Sequence, residues 1–168
     1  MPGSNMSSKP TVNLWLLSHS DIKTIVDLGP GAATYAKTMD GDYIWKAVEI
    51  WGPYVRRFDL DKYYSEIRIG DIRYMELPDG DCCIAGDVLE HLPREDFIKT
   101  FQKIDKQFKY VVISVPVNLL SSDVFEGNPF ESHLSYMNVD EMDKIFGDKY
   151  KRYMPTVEDD PCVLYIKG

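Results

Sequence analysis

Short apolar runs alternate with amphipathic stretches along most of this 168-residue chain, and that alternation restricts the folds open to it. Thr24 to Leu28, Trp45 to Ile50, Glu66 to Ile69, Cys82 to Gly86 and Tyr110 to Val115 each have the length and residue types of a strand. Cys82 to Gly86 is almost wholly apolar, the pattern of a strand covered on both faces. Val12 to Ser20, Ala32 to Met39 and Pro53 to about Tyr63 read as helices. Pro93 opens another, on which Phe97, Phe101, Ile104 and Phe108 share one face. Asn138 and Glu141 are spaced as a capping box, with Val139, Met142, Ile145 and Phe146 on the apolar face and Gly147 placed to end the helix. Tyr150 to Met154 and Cys162 to Ile166 are the closing strands, the only neighbours expected to lack a helix between them. The architecture predicted is a three-layer α/β sandwich around a seven-stranded, mostly parallel sheet whose last strand runs antiparallel.

The length suits one domain, and residues 11–168 are read as that domain. Residues 1–10 are polar and unpatterned and are expected to be a disordered tail or an expression remnant. A formal net charge of −8 supplies no basic field for phosphate backbones, which weighs against a nucleic-acid partner. No apolar run approaches the ~20 residues that span a bilayer, and no signal-peptide stretch opens the chain. Cys82, Cys83 and Cys162 have neither a C-x-x-C spacing nor a disulfide framework and read as buried thiols in a reducing, cytoplasmic setting.

Between the first strand and its helix lies Asp27-Leu28-Gly29-Pro30-Gly31-Ala32-Ala33. Glycines there let the backbone approach a ligand closely, although many α/β proteins need glycine merely to turn. The acids downstream sharpen the reading. Glu49 ends the second strand, 22 residues after Asp27, where a carboxylate can accept both ribose hydroxyl protons of an adenosine ligand. Asp71 closes the third strand and Asp87 the fourth. Four successive strands thus carry an acid near the carboxyl edge, where open α/β sheets bind ligands.

On these residues the chain resembles the class I S-adenosylmethionine-dependent methyltransferases, from about Leu14 to Lys167. Asp27-Leu28-Gly29-Pro30-Gly31 is similar to the family's glycine-rich first motif, with Asp27, Gly29 and Gly31 as cofactor residues. The resemblance makes Glu49 the ribose acid, Ile50 the apolar neighbour of adenine, and Gly70-Asp71-Ile72 the segment at the adenine edge, with Asp71 accepting from the exocyclic amine. Asp87-Val88-Leu89-Glu90-His91-Leu92 is similar to the D-V-x-E-H-[LV] signature of the small-molecule branch, which places Asp87 and His91 at the cofactor pocket. Ala33 stands where the family's third glycine would be. No N/D-P-P-Y/F run or Pro-Cys pair follows the fourth strand, which disfavours the DNA-methylating branches. The rival dinucleotide fingerprint fails at Thr34, and the chain has no room for a dehydrogenase's second domain.

Residues 117–137 lack a clear element, and loops that long in compact domains are often functional. This one carries Glu131, Ser132 and His133, and His133 is the candidate general base for an acceptor hydroxyl, with Glu131 orienting it. A structural histidine pinning the loop is the competing reading. Asp87, His91 and His133 have no metal-spacing signature, so no metal ligand is assigned. The expected activity is transfer of a methyl group from S-adenosyl-L-methionine to a small-molecule or glycan-like acceptor, O-methylation favoured, leaving S-adenosyl-L-homocysteine. The alternative is a non-catalytic S-adenosylmethionine-binding or regulatory protein. Little material is available for a cap, so the site is either open or completed by another subunit in a homo-oligomer.

Overall fold

The computed structural model describes residues 6–117, 127–154 and 162–168. Its sheet has seven strands in the order β3-β2-β1-β4-β5-β7-β6, where β1 is Thr24–Leu28, β2 Ile44–Glu49, β3 Glu66–Ile69, β4 Cys82–Gly86, β5 Tyr110–Pro116, β6 Lys151–Tyr153 and β7 Cys162–Lys167. Neighbouring strands from β3 through β5 pair in parallel, and β7 runs antiparallel to both β5 and β6. The predicted sheet is therefore the observed one.

Helices α1 (Lys9–Leu17) and α2 (Thr34–Thr38) lie on one face, where Val12, Leu16 and Tyr35 pack with Ile25, Ala47 and Cys82. Helices α4 (Arg94–Gln107) and α5 (Val139–Phe146) lie on the other, where Phe97, Phe101, Ile104, Met142 and Phe146 pack with Val26, Cys83 and Val111. Cys82 and Cys83 thus point to opposite layers, as adjacent strand residues must. Every residue of β4 and β5 is buried, which is why those strands read as unbroken apolar runs. The capping box forms as its spacing predicts: Glu141 N donates to Asn138 Oδ1 (3.0 Å) and Asn138 N to Glu141 Oε2 (3.2 Å), while Gly147 ends the helix at φ 65°.

Several boundaries differ from the expectation. α1 begins at Lys9 rather than Val12, because Pro10 fits a first helical turn without losing a backbone bond. Ser8 and Lys9 are buried, so residues 8–10 belong to the fold and not to the tail; residues 1–5 lie outside the described residues. α2 starts two residues late because Ala33 adopts a left-handed φ of 58° that no α-helix accommodates. The helix over Pro53–Tyr63 stops at Arg57 in α3 (Pro53–Arg57), since Asp59 is left-handed at φ 52°, and a short 3₁₀ turn follows at Leu60–Lys62. No helix joins β3 to β4 either; residues 70–81 cross as turns and bends. No helix among the described residues is long and apolar enough to cross a membrane.

Candidate functional site

The strand order changes direction between β1 and β4: the chain moves one way to β2 and β3, then returns to the opposite side for β4 and β5. Loops leaving such strands diverge and open a crevice at their carboxyl ends. A cleft of about 580 Å3 lies there, lined on one side by Asp27, Gly29, Gly31 and Glu49 and on the other by Asp87, Glu90, His91 and His133. Ile50, Asp71 and Ile72 line it as well. All the residues singled out from the sequence, Glu131 included, therefore meet around one cavity.

The turn after β1 is tight for a visible reason. Gly29 has φ 61°, and a Cβ there would stand 2.6 Å from Val88 Cγ2, so the loops after β1 and β4 touch across the switch point. Gly31 is left-handed too, at φ 49°. On the β4 side Asp87 adopts φ 57°, an uncommon conformation for a residue with a side chain and one often found where a site requires it. Its carboxylate accepts from Ser114 Oγ (3.0 Å) on β5.

Two carboxylates on the β1–β2 side are almost fully buried. Burial pushes Asp27 up to about 7, against the Tyr64 hydroxyl, which donates to it at 2.7 Å, and the nearby Lys9 ammonium. Burial likewise pushes Glu49 to about 7, opposed by backbone N–H groups of Trp51 and Gly31 and reinforced by the Glu131 and Asp27 charges. The Trp51 N–H holds Glu49 Oε1 at 2.7 Å. Lys9, excluded with the tail in the sequence reading, inserts beneath this side, its ammonium 3.5 Å from the centre of the Tyr35 ring. Burial lowers it to about 8 despite attraction from Asp87 and Asp27.

Asp71 lines the cleft where expected, and its carboxylate is fixed in orientation. Arg73 clasps it, donating from its backbone N and Nε to Oδ1 and from Nε and Nη2 to Oδ2, and Arg73 Nη1 is pinned in turn by Asp96 of α4 at 2.9 Å.

The segment 127–137 is irregular, as expected; residues 118–126 of the predicted loop lie outside the described residues. It roofs the cleft by bonds to both banks. Tyr54 Oη and Asn128 Nδ2 both donate to Glu131 Oε1 at 2.9 Å, and Phe130 faces Trp51 with ring centres 6.2 Å apart. Leu134 N and Ser135 N donate to the Glu90 carbonyl, and Ser135 Oγ to that of Leu92. The expected orientation of His133 by Glu131 is not what the structure has. Glu131 is committed to Tyr54 and Asn128, and His133 instead meets His91 edge to face, ring centres 5.0 Å apart. Buried His133 Nδ1 has no hydrogen-bond partner.

Glu90 is the residue the sequence reading passed over. It sits inside the quoted D-V-x-E-H motif, yet no role was attached to it. It is 2% exposed, and neither carboxylate oxygen has a hydrogen-bond partner. Burial first, then the adjacent Asp87 charge, push it well above the usual carboxylate range. His91 is held below its ordinary value by burial and by His133, against a hydrogen bond with the Ser132 carbonyl at 3.2 Å.

This fold is the one shared by S-adenosylmethionine-dependent methyltransferases of known structure. The magnesium protoporphyrin IX methyltransferase of Synechocystis PCC 6803, solved with S-adenosylhomocysteine bound, superposes with a TM-score of 0.69 over 95% of this chain and 80% of its own, at 15% identity. The N-terminal domain of EvdMO1, solved in the presence of S-adenosylhomocysteine and D-fucose, gives 0.69 over 98% of this chain and 83% of its own, at 11% identity. The mitomycin 7-O-methyltransferase MmcR gives 0.63 over 95% of this chain but only 53% of its own length, at 13% identity. Compared with protein-family models and with curated proteins, the sequence matches none.

Proposed function

We propose that the chain is an S-adenosylmethionine-dependent methyltransferase acting on the hydroxyl of a small-molecule or glycan-like acceptor. The observation that carries this is the pair of almost fully buried acids, Asp27 and Glu49, beside a glycine turn too tight for a side chain, at the switch point of the sheet. The residues present fit the donor. Glu49 is a fixed acceptor at the end of β2, suited to a ribose diol, and its second oxygen is not taken by Trp51. Ile50 and Ile72 supply apolar walls for adenine, and the Gly29–Gly31 backbone admits close approach. Asp27, held by Tyr64, and Asp87, held by Ser114, would hold the remaining polar part of the donor. Asp71, fixed in orientation by Arg73, would accept from the exocyclic amine at the adenine edge. Several of the fold's known structures hold this donor or its product, which supports the same assignment.

Bound there, the sulfonium donor supplies an activated methyl group that needs alignment more than covalent help. The chain's part is to align an acceptor oxygen and exclude water. The segment 127–137 lies along the cleft, held to Tyr54, Trp51 and the Glu90 carbonyl. His91 and His133 project from the β4 bank and the roof, on the acceptor side. His133 contacts the acceptor there, directly or through what it binds, and Glu131 is a positioning residue for the roof. Calorimetry with S-adenosylhomocysteine and with NAD, followed by transfer assays across hydroxylated acceptors, tests the proposal. Tight binding of the former alone, with methyl transfer, is expected; binding without any transfer would leave a regulatory binder. His133→Ala is expected to abolish turnover while cofactor affinity stays within about threefold, and normal turnover would remove His133 from the acceptor site.

A further inference from the structure

On the acceptor side of the cleft, Glu90, His91 and His133 each offer one ligand atom, and the three atoms lie within 4.8 Å of one another. Their surroundings leave these atoms without other work. Both Glu90 oxygens and His133 Nδ1 are buried and unpartnered, although a buried polar group left unpaired costs about 1–3 kcal/mol. Three such atoms in one small space are unusual where buried polar groups are normally satisfied. His91 Nδ1 lies against the Ser132 carbonyl at 3.2 Å. A carbonyl only accepts, so the proton belongs on Nδ1, and Nε2 carries a bare lone pair. A backbone carbonyl that fixes a histidine's tautomer in this way is the usual outer support of a metal ligand.

We infer that Glu90, His91 and His133 form a binding site for one divalent transition-metal ion, open toward the acceptor. This rests on the proposed methyl transfer for its purpose, but not for its existence. Two imidazoles and one carboxylate suit zinc, manganese, iron or cobalt, whereas magnesium and calcium prefer oxygen alone. Ligands about 2.1 Å from an ion stand roughly 3–4 Å apart, so the donors must close by about 1 Å, a matter of side-chain rotation. The backbone already holds both segments together, since Leu134 N and Ser135 N donate to the Glu90 carbonyl. Three protein ligands leave coordination positions for substrate oxygens. An acceptor hydroxyl bound there loses its proton to solvent more readily, and the resulting oxygen forms the O–CH3 bond as the C–S bond of the donor breaks and its electron pair returns to sulfur. That assignment gives His133 a task which the absence of an orienting Glu131 otherwise leaves open.

The test uses the full chain, stripped with a chelator and titrated with cobalt(II) while visible absorption is followed, then with zinc(II) and manganese(II) by calorimetry. One equivalent is expected to bind, with cobalt bands indicating nitrogen and oxygen ligation. Glu90→Gln, which keeps the shape but exchanges one ligand oxygen for an amide NH2, and His133→Ala should each weaken binding about 100-fold or more, while S-adenosylhomocysteine affinity is unchanged and unfolding remains a single cooperative transition. Absence of stoichiometric binding to the wild type, or binding unchanged in both variants, would overturn the site. If metal binds in this way but no acceptor is methylated, the functional proposal fails and the site stands. If methyl transfer proceeds at full rate in stripped protein that takes up no metal, the site fails and the function stands.

Discussion

Replacing Glu49 by glutamine should separate stability from function by moving them in opposite directions. The side chain is 3% exposed, and burial raises its carboxyl from 4.5 to about 7. An acid raised in the fold is bound to its proton more tightly there than in the unfolded chain. The wild type therefore loses stability as pH rises from about 4.5 to about 7, and the penalty is constant beyond that. The shift corresponds to about 3 kcal/mol above pH 7, at 1.36 kcal/mol per unit. Glutamine keeps an oxygen for the Trp51 N–H but still buries an amide, which returns part of the gain. The net expectation is about 1–2 kcal/mol of added stability for the ligand-free protein at pH 8, a rise of several degrees in Tm for a domain of this size. At pH 4.5 the difference should vanish, because the wild-type acid is then protonated when folded. Against this, charge-assisted bonds to the ribose hydroxyls are worth about 1.5–3 kcal/mol each, so S-adenosylhomocysteine should bind about 10–100-fold more weakly. Thermal melts at the two pH values and calorimetry measure both. A Glu49→Gln protein less stable than wild type at pH 8 would refute the burial argument, and affinity within twofold of wild type would remove Glu49 from the ribose.

Gly29→Ala should cost about 1 kcal/mol or more for its left-handed φ of 61°, and its Cβ must also push Val88 toward the cleft from 2.6 Å. Melting should fall by several degrees and S-adenosylhomocysteine affinity with it, and a variant unchanged in both would mean that the β1 and β4 loops do not press together. Tyr64→Phe removes the hydroxyl that donates to buried Asp27, at a cost of about 1–3 kcal/mol that urea denaturation should show to be larger at pH 8 than at pH 5, because the ionised carboxylate needs the donor most. Equal costs at the two pH values would mean that Asp27 does not titrate between them.

The sheet was legible because its signal is local. β4 and β5 are buried at every position, so each announced itself as an apolar run, and the Asn138–Glu141 cap lies within a single turn. Boundaries failed where one residue's backbone overrode the pattern. Ala33 and Asp59 sit at φ 58° and 52°, a choice that tertiary packing makes and composition does not display. α1 failed in the other direction: Lys9 looked like tail because a lysine beside polar residues usually is, yet two distant acids and a tyrosine ring give it a place inside.

The site divides along the same line. Acids at strand ends were found because strand ends are readable, but their partners lie far off in the chain: Tyr64 is 37 residues from Asp27, and Tyr54 is 77 from Glu131. Residues two apart, such as Glu131 and His133, face the same way only where the chain is extended. A bend at Ser132 interrupts that extension. Glu131 goes to the β2 bank and His133 to the β4 bank, while the Ser132 carbonyl between them fixes His91. One bent residue therefore turns an apparent acid–base pair into two separate devices: a strut that shuts the roof, and the third corner of a cluster whose other two members, Glu90 and His91, are adjacent in sequence. The cleft then has two chemical halves, the buried carboxylates at the ends of β1 and β2 and the imidazoles of His91 and His133 beside the β4 loop, and only the first half is spaced so that a linear reading can find it.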